Sequence, residues 1–474
     1  MPKRRTVRTP HPLFHGATGL ALLVAGLFWL LPDASVDAQD PTPEPAPPAG
    51  STVVDSIIEI PLSPTGERSL IPIAVPDLRN LGDSDPRGYV DEISARTRNA
   101  LDMAGYFRVI SPDAFFFDPD ADGMTAATIN FENWYNVGAQ AVVKMGFRVA
   151  TNQVRLDYRL FNVDAGEEVE LDWRPVTVGL DEVAAETFRF INAIIAYYTG
   201  QPGVFGSRIA YAAPSSGGGK QIYTMQMDGG GISAVTSNRS LNILPAWGPG
   251  GDVMYTSYVN FNPDLYIGRN NARRLSTRPG LNVGAQLNPA GDTIAFTMTR
   301  DGQAEIYLMD IDGQNLRRLT NHPAEDVSPS WSPDGRRIAF VSDRAGGPQI
   351  HVMNADGSGQ RRVTFAGRYN TTPAWSPTGD VIAFTGRDSR NRFDIFTVDP
   401  ETSYIERLTQ DQGQSQSPTW SPDGRWIAFT STRDGGGARL YIMTRDGAYQ
   451  RVVNPDVVGV ESPRWEPRVP SSAR

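Results

Sequence analysis

The 474-residue sequence contains no cysteine and only four histidines. Without thiols the chain has no disulfide, no thiolate nucleophile and no cysteine-type zinc site. Acidic residues outnumber basic ones by 53 to 44, which gives a formal net charge of −9. A nucleic-acid-binding protein is expected to show a basic excess or a basic stripe, so we expect no nucleic-acid partner.

Long apolar runs are also scarce, and the only long one lies at the N-terminus. Basic residues at positions 3, 4, 5 and 8 precede an apolar run over about residues 16–31. Small residues then stand before a cleavage site between Ala38 and Gln39, which is the pattern of a secretory signal peptide over residues 1–38. The alternative is a retained N-terminal anchor, although the run is shorter than the roughly 20 apolar residues of a spanning helix.

Residues 39–51 are rich in proline, a composition that favours an extended linker without a packed core. Residues 52–200 then mix short strand-like runs with helical apolar spacing. One predicted helix ends before Gly105, and another runs over about residues 181–198, with Asp181 as N-cap and Gly200 as stop signal. These patterns predict a small N-terminal α/β domain.

From residue 201 to 467 the chain repeats itself about every 40–45 residues, a period typical of four-stranded propeller blades. The phrase W-S-P-D-G occurs at 331–335 and 420–424, and as W-S-P-T-G at 375–379, each time followed by an I-A-F strand. Weaker copies begin at Trp247 and Leu287, and a half-copy ends at Trp465. We therefore predict an all-β six-bladed β-propeller with the tryptophans in its core, followed by a tail over residues 468–474.

The two inner phrases also predict how the ring closes. Both occur six times, but the first I-A-F-type strand, at Ile209, has no Trp phrase before it. The last Trp phrase, at Trp465, has no I-A-F strand after it. We expect the Trp465 strand to join the blade that begins at Ile209, which leaves no free sheet edge there.

Loops at one mouth of a propeller are suited to recognition, because loops on a rigid scaffold carry function. Polar residues recur five positions before the Trp-type residues, and further polar or aromatic residues flank them. The alternative is that these side chains cap local turns. The predicted partner-binding residues are Arg239, Asn242, Asn282, Glu325, Asp326, Tyr369, Asn370, Ser415, Gln416 and Glu461.

Charged residues recur after the I-A-F strands, in Asp343-Arg344, at Asp388 and in Arg433-Asp434. We expect ion pairs between blades here, with a cation held by the acidic residues in the central channel as the alternative. Enzyme signatures are weak, because the chain has no G-x-S-x-G elbow and only His322 and His351 follow the predicted signal. No catalytic residue, metal site or cofactor is predicted.

Phrases in both domains resemble the TolB family. They include A-G-Y-F-R-V-I at 104–110, Y-R-L-F-N-V at 158–163 and Y-T-G-Q-P-G-V-F-G-S-R-I-A-Y at 198–211. The resemblance covers about residues 55–467 and implies a periplasmic, non-enzymatic scaffold of the Tol–Pal system. In that family one propeller mouth binds the peptidoglycan-associated lipoprotein Pal, and the system maintains outer-membrane integrity and draws the outer membrane in during cell division.

The resemblance also implies a contact between the mature N-terminal segment and the inner-membrane-anchored TolA. Because the proline-rich linker intervenes here, two stretches are candidates, one starting at Gln39 and Asp40 and the other containing Val53 and Val54. We expect a monomer, with outer-membrane proteins as further candidate partners. The competing hypothesis is a secreted propeller enzyme or a glycan-binding module.

Overall fold

A computed structural model of the chain describes residues 70–82, 84, 85, 87–269 and 273–467. The predicted signal peptide with its cleavage site at Ala38 and Gln39, the proline-rich linker and the tail over 468–474 lie outside these residues. So do Asp40, Val53 and Val54. Within the described residues, no helix has both the length and the apolar character needed to cross a membrane.

The N-terminal domain is one mixed sheet with helices packed against it. Strands β1, β3 and the first part of β4 are parallel, whereas β4 and β5 form a long antiparallel hairpin. The strand order is β3-β1-β4-β5-β6, with β2 beside β4 and β7 beside β5. The elements are β1 Ile71–Ala74, β2 Arg79–Asn80, α1 Tyr89–Met103, β3 Phe107–Ile110, α2 Phe131–Asn136, β4 Ala141–Ala150, β5 Gln153–Asn162, β6 Glu167–Glu168, β7 Val176–Gly179 and α3 Val183–Thr199, with 3₁₀ turns at Pro112–Ala114, Pro119–Ala121 and Ala126–Thr128.

The two long helices lie near their predicted positions. Helix α3 ends at Gly200, whose φ of 73° is the left-handed conformation that glycine adopts readily. The predicted N-cap is wrong by one residue, because the cap is Glu182 and makes no side-chain cap bond. Asp181 instead pairs with Arg87 at 2.7 Å, which ties the start of α3 to the segment before α1.

The propeller consists of six four-stranded antiparallel sheets. Blade 1 contains β8 Arg208–Pro214, β9 Lys220–Gln226, β10 Ser233–Ala234 and the last strand of the chain, β31 Glu461–Trp465. Blades 2 and 3 contain β11 Asn242–Trp247, β12 Val253–Ser257, β13 Asp264–Ile267, β14 Arg273–Ser276, β15 Asn282–Leu287, β16 Thr293–Met298, β17 Glu305–Asp310 and β18 Arg317–Arg318. Blades 4 to 6 contain β19 Asp326–Trp331, β20 Arg337–Ser342, β21 Gln349–Asn354, β22 Arg361–Arg362, β23 Asn370–Trp375, β24 Ile382–Arg387, β25 Phe393–Val398, β26 Ile405–Arg407, β27 Ser415–Trp420, β28 Trp426–Ser431, β29 Arg439–Thr444 and β30 Gln450–Val452.

The predicted closure of the ring is confirmed. Strand β31 is the innermost strand of blade 1 and runs antiparallel to β8, with Trp465 opposite Ile209. An ion pair secures each end of this pairing, Arg208 with Glu466 at 2.6 Å and Lys220 with Glu461 at 2.5 Å. The ring of blades is therefore closed by contacts between residues that are more than 200 positions apart in the sequence.

The innermost strands share a bulge that brings adjacent blades together. Each has a register shift in its pairing with the second strand of its blade. The bulged residue has a positive φ and, in blade 4 for example, the Ser328 N–H donates to Thr297 Oγ1 of the preceding blade at 3.1 Å. The indole N–H of Trp420 likewise donates to the Ala374 carbonyl at 2.9 Å. The indole N–H groups of Trp247 and Trp331 also reach the preceding blade, whereas that of Trp375 donates to the Gly379 carbonyl of its own blade.

Candidate partner-binding face of the propeller

The propeller has two unlike ends. The turn face carries the turns between the first and second and between the third and fourth strands of each blade, such as 332–336 and 355–360. The loop face carries the loops between the second and third strands and between blades, such as 258–263 and 321–325. Because adjacent strands are antiparallel, successive connections alternate between these two ends.

The N-terminal domain attaches to the turn face of blades 6 and 1. Tyr449 Oη donates to the Asp102 carbonyl at 3.1 Å, and Arg451 pairs with the Asp102 carboxylate at 2.7 Å. In blade 1, Asp228 lies 3.5 Å from Arg96 of α1. No hydrogen bond or ion pair from a described residue of the N-terminal domain reaches the loop face. The loop face is therefore the end open to a partner.

Five of the predicted partner-binding side chains lie beneath the loop face rather than on it. Each begins an innermost strand and is buried, with relative exposure of 0–1%. Asn242 Nδ2 donates to the carbonyls of Lys220 and Ser240, and Asn370 Nδ2 donates to the Ala366 carbonyl at 2.9 Å. This arrangement favours the alternative that they cap local turns and hold the loops. The five are Asn242, Asn282, Asp326, Asn370 and Ser415.

The other five predicted residues reach the surface to different degrees. Arg239 is exposed, whereas Glu325, Tyr369, Gln416 and Glu461 are half-buried. Glu461 is held by its ion pair with Lys220. Of the predicted residues, these five are the ones the structure leaves accessible to a partner on this face.

Tyr369 is fixed between two neighbours. Its ring packs edge-on against Phe393 with centroids 5.7 Å apart, and the Arg387 guanidinium lies 5.0 Å from the ring centre. Burial raises the pKa of Tyr369 to about 12, although the charge of Arg387 opposes this. Tyr369 is therefore a neutral phenol and a rigid aromatic surface at physiological pH.

Glu325 is the most strongly perturbed acid of this face. Burial, together with the negative charge of Asp343, raises the pKa of Glu325 to about 7. The Glu325 backbone N–H donates to Asp343 Oδ1 at 2.8 Å, which keeps the two acidic residues adjacent. The charge of the loop face at this point consequently changes near neutral pH.

Sequence reasoning missed the apolar tip of the loop between β12 and β13. Phe261 is 99% exposed and Val259 is 44% exposed, yet the backbone of this loop is held by several hydrogen bonds. The Phe261 N–H donates to the Tyr258 carbonyl at 2.9 Å, and Asn262 Nδ2 donates to Asp264 at 2.6 Å and to the Arg278 carbonyl at 3.2 Å. A comparison of the repeats would have found it, because the corresponding loops of blades 3 to 6 are mostly polar or glycine-rich.

Two of the charged residues after the I-A-F strands, Arg344 and Asp388, form ion pairs within their own blades, so the expectation of pairs between blades is wrong for these two. Arg344 reaches Asp326 of its own blade at 2.5 Å, and Asp388 lies 3.3 Å from Arg407 of its own blade. The reason is that each loop folds back over the loop-face ends of its own strands. Among the described residues, no group of three or more acidic or histidine side chains is placed to hold a metal ion.

The two histidines that follow residue 38 occupy different parts of the fold. His351 is buried in β21 with its ring 5.6 Å from that of Phe340, whereas His322 lies in the loop between blades 3 and 4. There the His322 ring accepts a hydrogen bond from the Ala324 N–H at 3.0 Å. The two rings are therefore engaged separately and form no shared site.

Comparisons with known proteins agree with this architecture. A family model for the TolB beta propeller domain matches residues 196–469, and one for the TolB amino-terminal domain matches residues 62–169. The Tol-Pal system protein TolB of Anaeromyxobacter dehalogenans (strain 2CP-C) is 42% identical over 361 residues, which is 73% of this chain and 81% of that protein.

Two further comparisons cover different shares of the chain. The Tol-Pal system protein TolB of Desulfosudis oleivorans is 37% identical over 247 residues, which is 51% of this chain and 56% of that protein. The crystal structure of TolB from Acinetobacter baumannii superposes with a TM-score of 0.71 at 24% identity, over 86% of this chain and 99% of that one. The structural likeness extends across both domains.

Proposed function

Because the chain belongs to the TolB family, we propose that it is a periplasmic scaffold that binds a Pal-like, peptidoglycan-associated lipoprotein through its loop face. A TolA-like inner-membrane protein binds its N-terminal segment. The chain is a non-enzymatic component of the Tol–Pal system, and it links the outer membrane to the inner-membrane complex. This link supports outer-membrane integrity and constriction during division.

The observation that carries the proposal is the separation of the two ends of the propeller. The N-terminal domain occupies the turn face through Asp102, Tyr449 and Arg451. The loop face is free of that domain and presents Phe261 on a hydrogen-bonded loop. Exposed aromatic side chains on ordered loops are the usual anchors of protein interfaces, since they bury large area at low entropic cost.

A lipoprotein domain seated on the loop face would lie across the propeller from the described part of the N-terminal domain, residues 70–200, and would not overlap it. The accessible residues Arg239, Glu325, Tyr369, Gln416 and Glu461 surround the inner strands on this face. They add polar and charged groups to the face that carries the apolar tip, as expected for a reversible interface.

The test is direct binding of the mature chain to the soluble domain of a Pal-like lipoprotein, measured by calorimetry. Phe261→Ala should weaken binding by at least about tenfold, since anchor residues cost about 2 kcal/mol or more when truncated. Tyr404→Ala is the matched control, because Tyr404 is an exposed aromatic residue (68%) on the turn face. Wild-type affinity in Phe261→Ala, or an equal loss in Tyr404→Ala, would contradict the assignment of the loop face.

The contact with a TolA-like protein needs a separate experiment that distinguishes the two candidate stretches. Replacing Gln39 and Asp40 with alanine tests the start of the mature chain, and replacing Val53 and Val54 with aspartate tests the stretch after the linker. We expect one pair alone to abolish capture of the TolA-like domain while Pal binding is retained. Retained capture in both variants would contradict an N-terminal contact.

A further inference from the structure

Six equivalent residues of the innermost strands form a ring around the propeller axis. Each directly precedes a Trp-type residue and stands opposite the second strand of its blade at the same register. Four of the six are small, which lets the inner strands approach closely. In order around the ring, starting from blade 1, the residues are Arg464, Ala246, Gln286, Ser330, Ala374 and Thr419.

Hydrogen bonds show where the side chains of this ring point. Thr419 Oγ1 accepts from the Trp465 N–H at 3.1 Å, and Ser330 Oγ accepts from the Trp375 N–H at 3.0 Å. Each side chain is thus directed at the inner strand of the next blade. The longer side chains of Arg464 and Gln286 place their end groups farther from the inner strand than a threonine hydroxyl.

Arg464 is the one charged member of the ring. The residue as a whole is partly exposed, whereas its guanidinium is enclosed by protein. It makes one hydrogen bond, from Nη1 to the Pro463 carbonyl at 3.1 Å, and no ion pair with a described residue. Burial without a neighbouring carboxylate lowers the pKa of Arg464 to about 10.

Two other arginines of this propeller with little solvent exposure are paired with acids. Arg407 lies between Asp388 and Asp394, and Arg344 pairs with Asp326 at 2.5 Å. A buried charge without a counter-charge is costly, so it is found paired or bound to a ligand of opposite charge. Arg464 is enclosed as these arginines are, but it forms no ion pair with a carboxylate of a described residue.

Gln286 is the second long side chain in the ring, and Ala246 alone separates it from Arg464. Its side-chain amide makes no hydrogen bond to a described residue, although its backbone carbonyl accepts from Trp331 Nε1 at 3.2 Å. A guanidinium and an amide NH₂ on either side of an alanine offer several donors and little competing negative charge. The planar guanidinium matches the two oxygens of a carboxylate or phosphate.

We propose that Arg464 and Gln286 form an oxyanion-binding site in the central channel. Its ligand is a carboxylate or phosphate group, which neutralises the guanidinium and occupies the space above Ala246. The group comes either from a free anion or from an acidic side chain of a protein partner seated on the propeller.

The site is tested on the full mature chain by titrating inorganic phosphate at constant ionic strength and following the melting temperature. We expect a saturable rise for the wild type that Arg464→Ala abolishes and that Gln286→Ala weakens. Arg464→Ala should fold normally, because Ala246 and Ala374 occupy the same position in other blades. The control is Arg239→Ala, which removes an exposed arginine of the loop face and should respond to phosphate like the wild type.

Two outcomes would overturn the site, namely no saturable response in the wild type or an unchanged response in Arg464→Ala. Calorimetry with a Pal-like domain then separates the two sources of the oxyanion. If a partner side chain supplies it, phosphate competes with the domain and Arg464→Ala binds the domain about tenfold more weakly. If the ligand is a free anion, the Pal-like domain binds the wild type and Arg464→Ala equally, while the rise in melting temperature with phosphate still depends on Arg464.

Discussion

The turn face and the loop face of the propeller differ in how they hold their acidic residues, although the same repeat forms both. On the turn face, Asp334 accepts from the Ser332 hydroxyl at 2.6 Å and from the Arg336 N–H at 3.0 Å, and these bonds lower its pKa. Hydrogen bonds from Ser358 lower the pKa of Asp356 in the same way. The other turn-face aspartates with a lowered pKa are Asp292, Asp380 and Asp399.

At the loop face the pKa shifts have both signs. Burial raises the pKa of Glu325, Asp326 and Asp394, whereas those of Asp301 and Asp388 are lowered. The turn-face aspartates cap turns whose sequence is nearly the same from blade to blade. The loop-face acids lie under loops that differ in every blade. The turn face therefore repeats one hydrogen-bonded pattern, whereas the loop face varies in sequence and charge from blade to blade.

The largest loss of stability is expected on deleting β31, the strand that closes the ring. Deleting residues 458–474 removes β31, exposes the edge of β8 and loses the buried Trp465, so we expect a loss of about 5 kcal/mol or complete unfolding. Thermal denaturation measures it. A chain that lacks only residues 468–474 is the control and should melt like the wild type. An unchanged melting temperature in the longer deletion would contradict non-covalent closure of the ring.

The next prediction compares one arginine from each face. Arg407→Gln leaves the buried carboxylate of Asp394 without its cation and leaves Asp388 with only Arg390, at 3.5 Å, so we expect a loss of about 3–5 kcal/mol in urea denaturation. Arg445→Gln breaks an ion pair with Asp380 that is partly exposed on the turn face, so about 0–1 kcal/mol is expected. If the two variants lost similar free energy of unfolding, the buried ion pairs of Arg407 would contribute no more than the exposed pair of Arg445, which would contradict the comparison.

A smaller change in stability, through Glu325, is expected to depend on pH. The native state holds the Glu325 proton up to about pH 7, whereas an unfolded glutamate releases it near pH 4.3. Wild-type stability therefore falls as the pH rises between these values, and Glu325→Gln should remove that fall. Because Glu325 is only half-buried, we expect the variant to be more stable by about 1 kcal/mol at pH 8 and unchanged at pH 4.

The control for the pH effect is Asp356→Asn, which should behave in the opposite sense. The pKa of Asp356 is lowered in the native state, so its contribution to stability is present above the unfolded pKa and is lost as the pH falls. Its variant should therefore be less stable than the wild type at neutral pH and approach it in acid. The same pH profile for both variants would contradict the comparison of the two faces.

The smallest effect concerns the backbone at the tip of the β12–β13 loop. Phe261 has a φ of 66°, a left-handed conformation that asparagine tolerates better than phenylalanine. Phe261→Asn should raise stability by about 0.5 kcal/mol while it weakens binding of the Pal-like domain. If stability falls instead, Phe261 has a structural role and is not retained for recognition.

Much of the propeller was predictable because the sequence patterns that specify its turns and strands are short and occur in every repeat. The Trp phrase specifies a turn and the I-A-F phrase a buried strand within a few residues, so their six copies predicted six blades. The offset between the two phrases also predicted closure through Trp465. Gly200 ended its helix as predicted, whereas the N-cap is Glu182 and the predicted Asp181 pairs with Arg87 instead.

The candidate binding residues were less predictable. Asn242, Asn282 and Asn370 have the polarity of a surface rim, but they are buried because the first residue of each inner strand lies under the loops of its own blade and the preceding one. Exposure at that position depends on blade packing, which no local pattern encodes. Phe261 was missed for the converse reason, because an apolar residue in a sequence is ordinarily assigned to a core.

The sequence by itself determined the number of blades, their strand pattern and the partner strand of Trp465, since turn chemistry and alternating burial act over short distances. Only the tertiary structure decided which end of the propeller stays open, which polar residues are buried and where Arg464 lies without an acid. These depend on how six similar sheets and one α/β domain pack together, and that packing determines the solvent, the charge and the space around each side chain.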